Sequence, residues 1–346
     1  MNPESNYETI LSQMNQPAFL VQNGVITALN SNAANHFAEI GMDIGEMLIT
    51  GKEEYSQLTQ GSLYLTIEIC GTQYPCCVSC LENAQLFTLE LDSVKAELQV
   101  LSLAAQQLSF PISELSVLFN QLEDVDENKK AQISQSLFRL RRLVGNMADA
   151  SRYATAPAAQ ITTDVASLFD EILEKAQTLL SESGIKLSYT VPRQPIYSQI
   201  NQELIRRAVY NLLSNGAKFS DQSSNIDARL TQNGNKLYFT VSSKNSSNIL
   251  AAGNLFNRYT RQPGLEERKY GLGLGMALIH AAAMAHNGTV LIQQDSDEMI
   301  RITMTISITK GNDNMVRSPQ LFPDVYGGND QALIELSDVL SSDLYK

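Results

Sequence analysis

At 346 residues the chain is longer than one hydrophobic core usually serves, so length alone points to two or three domains. With 43% hydrophobic and 18% charged residues it can build packed cores and lies far from the composition of disorder. A formal net charge of −12 argues against direct contact with DNA or RNA, whose binding needs clustered Lys and Arg.

The first eight residues are polar and lack the basic stretch and apolar run of a secretory signal. No stretch reaches about 18 consecutive apolar residues, so no membrane insertion is expected and the chain is expected in the cytoplasm. All four cysteines, Cys70, Cys76, Cys77 and Cys80, fall close together, a spacing that raises a soft-metal site. If 74–81 is a strand, however, Cys76 and Cys80 face one side and Cys77 the other, so the thiols do not converge and are read as small buried hydrophobes.

From the N-terminus, 17–30 reads as two short strands joined by Asn23-Gly24, a strong hairpin signal. A short helix is expected over 31–40. Segments 63–70, 74–81 and 85–91 then alternate apolar and polar residues with turn-sized gaps, as strands of a small sheet do. The opening hairpin, with Asn30 near the end of its second strand, and the order of elements resemble a PAS sensor domain, expected over residues 1–92.

From Glu97 the period changes. Leu98, Leu101, Ala105, Leu108, Ile112, Leu115, Phe119 and Leu122 are alternately three and four apart, an uninterrupted heptad seam that predicts a long helix. An acidic break at 123–128 precedes Ile133, Leu137, Leu140, Val144 and Met147, which resume the spacing. The expected product is an antiparallel helical hairpin over 93–154. Its two seams carry more apolar surface than one hairpin covers, which predicts a homodimer paired as a four-helix bundle.

Beyond a small-residue linker at 154–160, helices are expected over 165–183, 202–215 and 274–285. Strands are expected over 186–191, 226–232, 236–242, 289–294 and 299–309. This is an α+β sandwich over 155–310, a mixed sheet with helices on one face, and the chain as a whole is multidomain α+β. Residues 311–346 hold six acids against two bases, a net charge of −4, with Ala332, Leu333, Leu336 and Leu340 as the apolar face of a short helix. That tail either docks on its own domain or meets a partner.

Chemistry concentrates in Asn211-Leu-Leu-Ser-Asn215-Gly-Ala-Lys218-Phe219-Ser220. On a helix Asn211 and Asn215 share a face, with Lys218 three residues on. Carboxamide oxygens suit a hydrated Mg²⁺ and an ammonium suits phosphate, although a solvated helix surface carries the same residue types. Gly271, Gly273 and Gly275, alternating directly before a helix, add bare backbone amides at a helix N-terminus, where a polyphosphate fits.

Together these segments resemble the sensor histidine kinase family. The decapeptide matches its N box, Gly271 to Gly275 its second glycine box, and Leu255-Phe256-Asn-Arg258-Tyr-Thr-Arg261 its phenylalanine box. The resemblance covers about residues 90–310. It implies a Bergerat-type ATP fold in which Asn211 and Asn215 serve Mg²⁺, while Lys218, Phe219, Arg258, Gly271, Gly273 and Gly275 line the nucleotide. It also implies a response regulator or another histidine kinase as partner, and a structural role for His286.

The chain departs from that family at two places. Where its first helix carries a segment close to His-Glu-Leu-Arg-Thr-Pro-Leu, this one reads Gln106-Gln107-Leu-Ser-Phe-Pro111-Ile112. Gln106 thus stands at the phosphoacceptor position with an amide nitrogen that is not a nucleophile, and Gln107 replaces the adjacent acid. The only histidines are His36, His280 and His286, and Ser102, Ser109 and Ser113 read as ordinary helix residues. In the first glycine box, 241–249 holds neither acid nor glycine, and Ser243 or Lys244 takes the place of the adenine-binding Asp, depending on the anchor chosen. Weak or absent ATP and Mg²⁺ binding with poor adenine selectivity is therefore expected.

Three functions follow in order of preference: a pseudokinase acting as a dimeric regulatory scaffold, an active ATP-dependent kinase acting on a partner in trans, and an interaction protein that binds no nucleotide.

Overall fold

The computed structural model describes residues 11–12, 14, 16–36, 38–90, 93–121, 125–155, 160–220, 225–244, 274–295, 298–309 and 330–346. The N-terminal part opens with strands β1 (Ala18–Gln22) and β2 (Val25–Leu29), paired antiparallel. Asn23 and Gly24 join them, both at positive φ (52° and 81°), the conformation a two-residue hairpin turn requires. Asn30 then works in two directions. Its Oδ1 accepts from the Ala18 and Ala33 amides at 3.1 and 2.9 Å, tying β1 to the cap of helix α1 (Ser31–Ala34). That helix is shorter than the 31–40 expected.

Helices α2 (Ile44–Met47) and α3 (Lys52–Ser56) lead to strands β3 (Ser62–Ile69), β4 (Thr72–Cys80) and β5 (Gln85–Leu89). Phe19, Phe87, Leu65, Ile67 and Val78 fill the core on one face of this sheet, with Phe19 and Phe87 stacked at 5.1 Å. Cys76 and Cys77 are strand residues here. Burial pushes the Cys76 thiol well up and the Cys77 thiol to about 12, so both stay protonated.

The helical hairpin consists of α4 (Ser93–Asn120) and α5 (Glu127–Thr155). Its seam divides. Ala105, Ile112 and Phe119, seven apart, are buried, with Ala105 and Ile112 clustered against Val144, whereas Leu108 and Leu115 between them are exposed. On α5, likewise, Val144 is buried whereas Ile133 and Leu140 are exposed, so part of each seam faces into the hairpin and part outward.

The last part contains β6 (Ile161–Asp164), α6 (Val165–Glu182), β7 (Leu187–Thr190), β8 (Tyr197–Ile200), α7 (Gln202–Phe219), β9 (Ile226–Asn233) and β10 (Lys236–Lys244). It closes with α8 (Leu274–Ala285), β11 (Val290–Gln294), β12 (Met299–Ser307), the short helix α9 (Gln331–Glu335) and a 3-10 turn at Ser342–Tyr345. Phe169, Ile172 and Leu173 of α6, Leu204, Ala208 and Leu212 of α7, and Leu278 and Ala282 of α8 pack on Phe239, Val290 and Met304 of the sheet. Strands β6 and β8, absent from the sequence reading, form a separate antiparallel pair.

The two sheets expected in separate domains are one. The strand order β2-β1-β5-β4-β3-β11-β12-β10-β9-β7 runs through an antiparallel junction of β3 with β11, where Tyr64 faces Val290 and Ser62 faces Ile292. Gly61 makes the junction possible: it has φ of 90°, and a Cβ there would lie 2.1 Å from the Ile292 carbonyl oxygen. Lys236 with Glu54 (2.8 Å) and Tyr64 against the His280 ring brace it from either side.

Candidate nucleotide site

Helix α7 begins at Asn201, whose side chain accepts from the Leu204 amide at 2.8 Å, and carries Glu203 in its first turn and Lys218 in its last, as the helix dipole favours. It continues through Gly216 to Phe219, beyond the expected end at 215. Gly216 packs where an added Cβ would meet the Val241 side chain at 3.1 Å, so tertiary contact overrides the weak helix propensity of glycine. Lys218 consequently stays in helical register with Asn211 and Asn215.

Asn211 is fully buried. Its Nδ2 donates to the Arg207 carbonyl at 2.9 Å, and its Oδ1, the atom suited to a cation, accepts from Arg142 Nη2 at 3.0 Å. Asn215 is half-buried, with Nδ2 3.4 Å from the Met276 sulfur. The first turn of α8 closes on Asn211: a Cβ on Gly275 would lie 2.9 Å from Asn211 Oδ1. Asn211, Asn215, Lys218 and Gly275 therefore meet in one place. Arg258, Gly271 and Gly273 lie outside the described residues, as does the side chain of Phe219.

Residues that the motif reading missed complete the cluster. Arg142 on α5 pairs with Asp338 Oδ2 at 2.5 Å and approaches Glu335 at 3.7 Å. Arg207, only 2% exposed, binds Glu335 Oε1 at 2.8 Å and Asn146 Oδ1 at 2.8 Å, and pairs with Asp149. Lys218 pairs with Asp338. Burial alone would raise the Asp338 carboxyl, but Arg142 and Lys218 outweigh it and hold it below the usual carboxylate range. Burial, with Arg142 beside it, pushes the Lys218 ammonium down despite Asp338. One signal was present in the sequence: Glu335, three residues after Ala332, falls on the apolar face of the tail helix, and Arg207 lies within the buried stripe of α7.

On the opposite side of the site, β10 extends through Ser243, which is buried, to Lys244, which is exposed. Neither is a carboxylate, and 245–249 lie outside the described residues. His286 is structural in its contacts. Its Nε2 accepts from the Asn201 amide at 3.0 Å, so Nδ1 carries the proton and donates to the Ala282 carbonyl at 2.6 Å. Burial pushes its pKa down and keeps the ring neutral.

Residues 200–310 match the family described as histidine kinase-, DNA gyrase B-, and HSP90-like ATPase. Sensor protein KdpD of Clostridium acetobutylicum is 24% identical over 216 residues, 58% of this chain and 24% of KdpD. Adaptive-response sensory kinase SasA of Synechocystis sp. is 26% identical over 227 residues, 58% of this chain and 57% of SasA. Over these stretches the chain is similar to sensor histidine kinases, and residues 200–310 carry the ATPase-type domain. The chain has a multidomain α+β architecture, and full-length ShkA in complex with AMPPNP shares that fold with a TM-score of 0.50 at 16% identity, over 62% of this chain and 46% of ShkA. The chain spans a quarter to little more than half the length of the two curated proteins. Its ATPase-type domain implies ATP, taken with Mg²⁺. The donor set fits that pair chemically at the phosphate end, in two carboxamide oxygens and one ammonium beside a glycine-opened helix. No helix among the described residues is long and apolar enough to cross a membrane.

Proposed function

We propose that the chain is a catalytically degenerate histidine kinase that works as a dimeric cytoplasmic signalling scaffold, joining a PAS-like sensor to a nucleotide-responsive ATPase-type domain. One observation carries this reading. The α4 position that matches the phosphoacceptor is Gln106, on an exposed stretch of helix, and the three histidines lie elsewhere. His36 sits beside Tyr74, while His280 and His286 are buried in α8 and just after it. Ser109 and Ser113 donate to the carbonyls of Ala105 and Ser109 at 2.8 and 2.9 Å, as ordinary helix serines do.

Bound Mg²⁺ would supply charge neutralisation along the phosphates. Asn211 and Asn215 would hold the cation and Lys218 the phosphate oxygens, while nothing at Ser243 or Lys244 reproduces a carboxylate for adenine. Binding is therefore weak and little selective for the base. The exposed half of the hairpin seam, including Leu108, Leu115 and Leu140, pairs with a second copy. Output passes by altered hairpin packing to a response regulator or to an active kinase.

Retention of Asn211, Asn215 and Lys218 in one register favours, as a second reading, transfer to a partner in trans. Calorimetry with Mg·ATP, followed by incubation with radiolabelled ATP alone and with candidate regulators, separates the two. Binding without transfer supports the scaffold, labelled partner supports the kinase, and no binding contradicts both. Light scattering should give twice 38.1 kDa, and a mass of 38.1 kDa at micromolar concentration would remove the dimer.

A further inference from the structure

We propose that the C-terminal segment 330–346 is a built-in anionic competitor at the phosphate end of the nucleotide site, exchanged for a polyphosphate when nucleotide binds. The inference rests on the nucleotide reading above and names how that site is regulated.

The contacts start with the atoms themselves. Lys218 Nζ, the group suited to phosphate, is paired with Asp338, and Asn211 Nδ2 lies 3.3 Å from Glu335 Oε2. Arg142, whose Nη2 occupies the Asn211 oxygen, is itself held by Asp338 and Glu335. The tail thus supplies two carboxylates to the cations that surround the N-box residues. Glu335 is completely buried, so its charge is not a surface accident: it is compensated by Arg207 at 2.8 Å and by Arg142.

Charge balance then sets the direction of exchange. With the tail in place, Arg139, Arg142, Arg207 and Lys218 face Glu335, Asp338 and Asp149, four cations against three anions. Without it the same four cations lose both tail carboxylates, and Asp149 is the anion that stays beside Arg207. Uncompensated buried charge is strongly unfavourable, so the tail does not leave an empty site; it leaves when another anion arrives. A triphosphate with its Mg²⁺ is an anion of suitable charge and meets the same donors.

The segment is also held by packing, which makes the exchange a conformational event. Ala332, Leu336, Leu340 and Tyr345 enter the core beside α6 and α7, and Tyr345 packs edge-on against Phe138 of α5 at 5.0 Å. Gln135 of α5 donates to the Ser337 and Leu340 carbonyls at 3.2 and 2.7 Å, and Arg139 to the Ser337 carbonyl at 3.1 Å. On the other side, Lys175 pairs with Asp330 at 2.5 Å and Gln331 reaches Glu203 at 2.9 Å. The tail clamps hairpin helix α5 to α6 and α7. Its release frees α5, so anion binding at Lys218 becomes a change in hairpin packing.

The test uses the whole 346-residue chain. Amide hydrogen exchange of 331–345 is followed in the unmodified protein with saturating Mg·ATP, with tripolyphosphate and with adenosine, and Mg·ATP affinity is measured by calorimetry for the unmodified protein and for E335Q/D338N. Exchange in 331–345 should rise with Mg·ATP and with tripolyphosphate but not with adenosine, and the double variant should bind Mg·ATP about tenfold tighter or more. Unchanged exchange in a protein shown to be saturated with Mg·ATP overturns the competitor role while leaving nucleotide binding intact. Equal affinity of a folded double variant does the same. Failure of both proteins to bind Mg·ATP overturns the nucleotide reading itself and this inference with it.

Discussion

The hairpin and the N-box helix depart from the sensor histidine kinase pattern in opposite ways. Helix α4 keeps its frame, a continuous heptad seam with Pro111 in place, but at Gln106 and Gln107 it carries side chains that neither attack phosphorus nor remove a proton. Helix α7 keeps the side chains Asn211, Asn215 and Lys218, of which Asn211 is held by Arg142 and Lys218 by Asp338, both from other segments. Binding chemistry and transfer chemistry are thus carried by separate helices. In the scaffold proposed above, loss of one leaves the other free to serve a regulatory purpose.

The sharpest attempt to break this contrast is to restore the missing nucleophile. Gln106→His supplies an imidazole at the right helical phase but leaves Gln107 without an acid and 241–249 without an adenine anchor. General-base assistance is commonly worth about 10²- to 10⁴-fold and misplacement of a reacting group roughly another 10². Little or no autophosphorylation is expected from the single variant. Adding Gln107→Glu with an Asp at position 243 or 244 should do measurably better. Robust labelling of the single variant would show that the nucleotide site is functionally intact.

A stability comparison comes next in size. Arg207→Ala removes the partner of buried Glu335 and of Asp149, and should cost about 3–5 kcal/mol in urea unfolding. Gln106→Ala, on the exposed side of α4, should stay within about 0.5 kcal/mol. Similar losses for both would mean that the charged cluster carries no special weight.

Nucleotide selectivity should be small. With phosphate-end groups present and no acid in 241–249, ATP and GTP should differ by less than about tenfold, roughly 1.4 kcal/mol. A strong preference for ATP would place an adenine acceptor elsewhere.

The smallest effect concerns pH. Asp338 faces Arg139 and Arg142 on α5 and Lys218 on α7, with Glu335 beside it on the tail. Its folded-state pKa is lowered, so its contribution to tail docking is complete above the ordinary carboxylate range and is lost as pH falls through the lowered value. Hydrogen exchange of 331–345, corrected for intrinsic rates, should be level through neutral pH and rise only in acid. A rise beginning near pH 7 would implicate a different group.

Periodicity made much of the fold legible. The heptads of 98–119 and 133–147 fall in α4 and α5, Leu122 lying outside the described residues, Asn23-Gly24 became the turn it resembled, and the strands flanking α8 lie within a few residues of expectation. Strands β6 and β8, four residues each, are too short to establish a period, and α1 stops at Ala34 although its apolar spacing continues. The joining of the two sheets depends on Gly61 meeting the Ile292 carbonyl across more than two hundred residues, which no local pattern records. Site residues divide similarly. The N box is contiguous and readable, whereas Arg142, Arg207, Glu335 and Asp338 find one another only after folding.

The most direct measurement of the central claim is the fate of ATP bound to the intact chain. Full-length protein is saturated with Mg·ATP as judged by calorimetry, then quenched in alkali, where a phosphohistidine would survive, and both protein and recovered nucleotide are assayed. The account predicts binding, ATP recovered unconsumed, and no phosphate on the chain. Stoichiometric alkali-stable phosphate on the protein would contradict it.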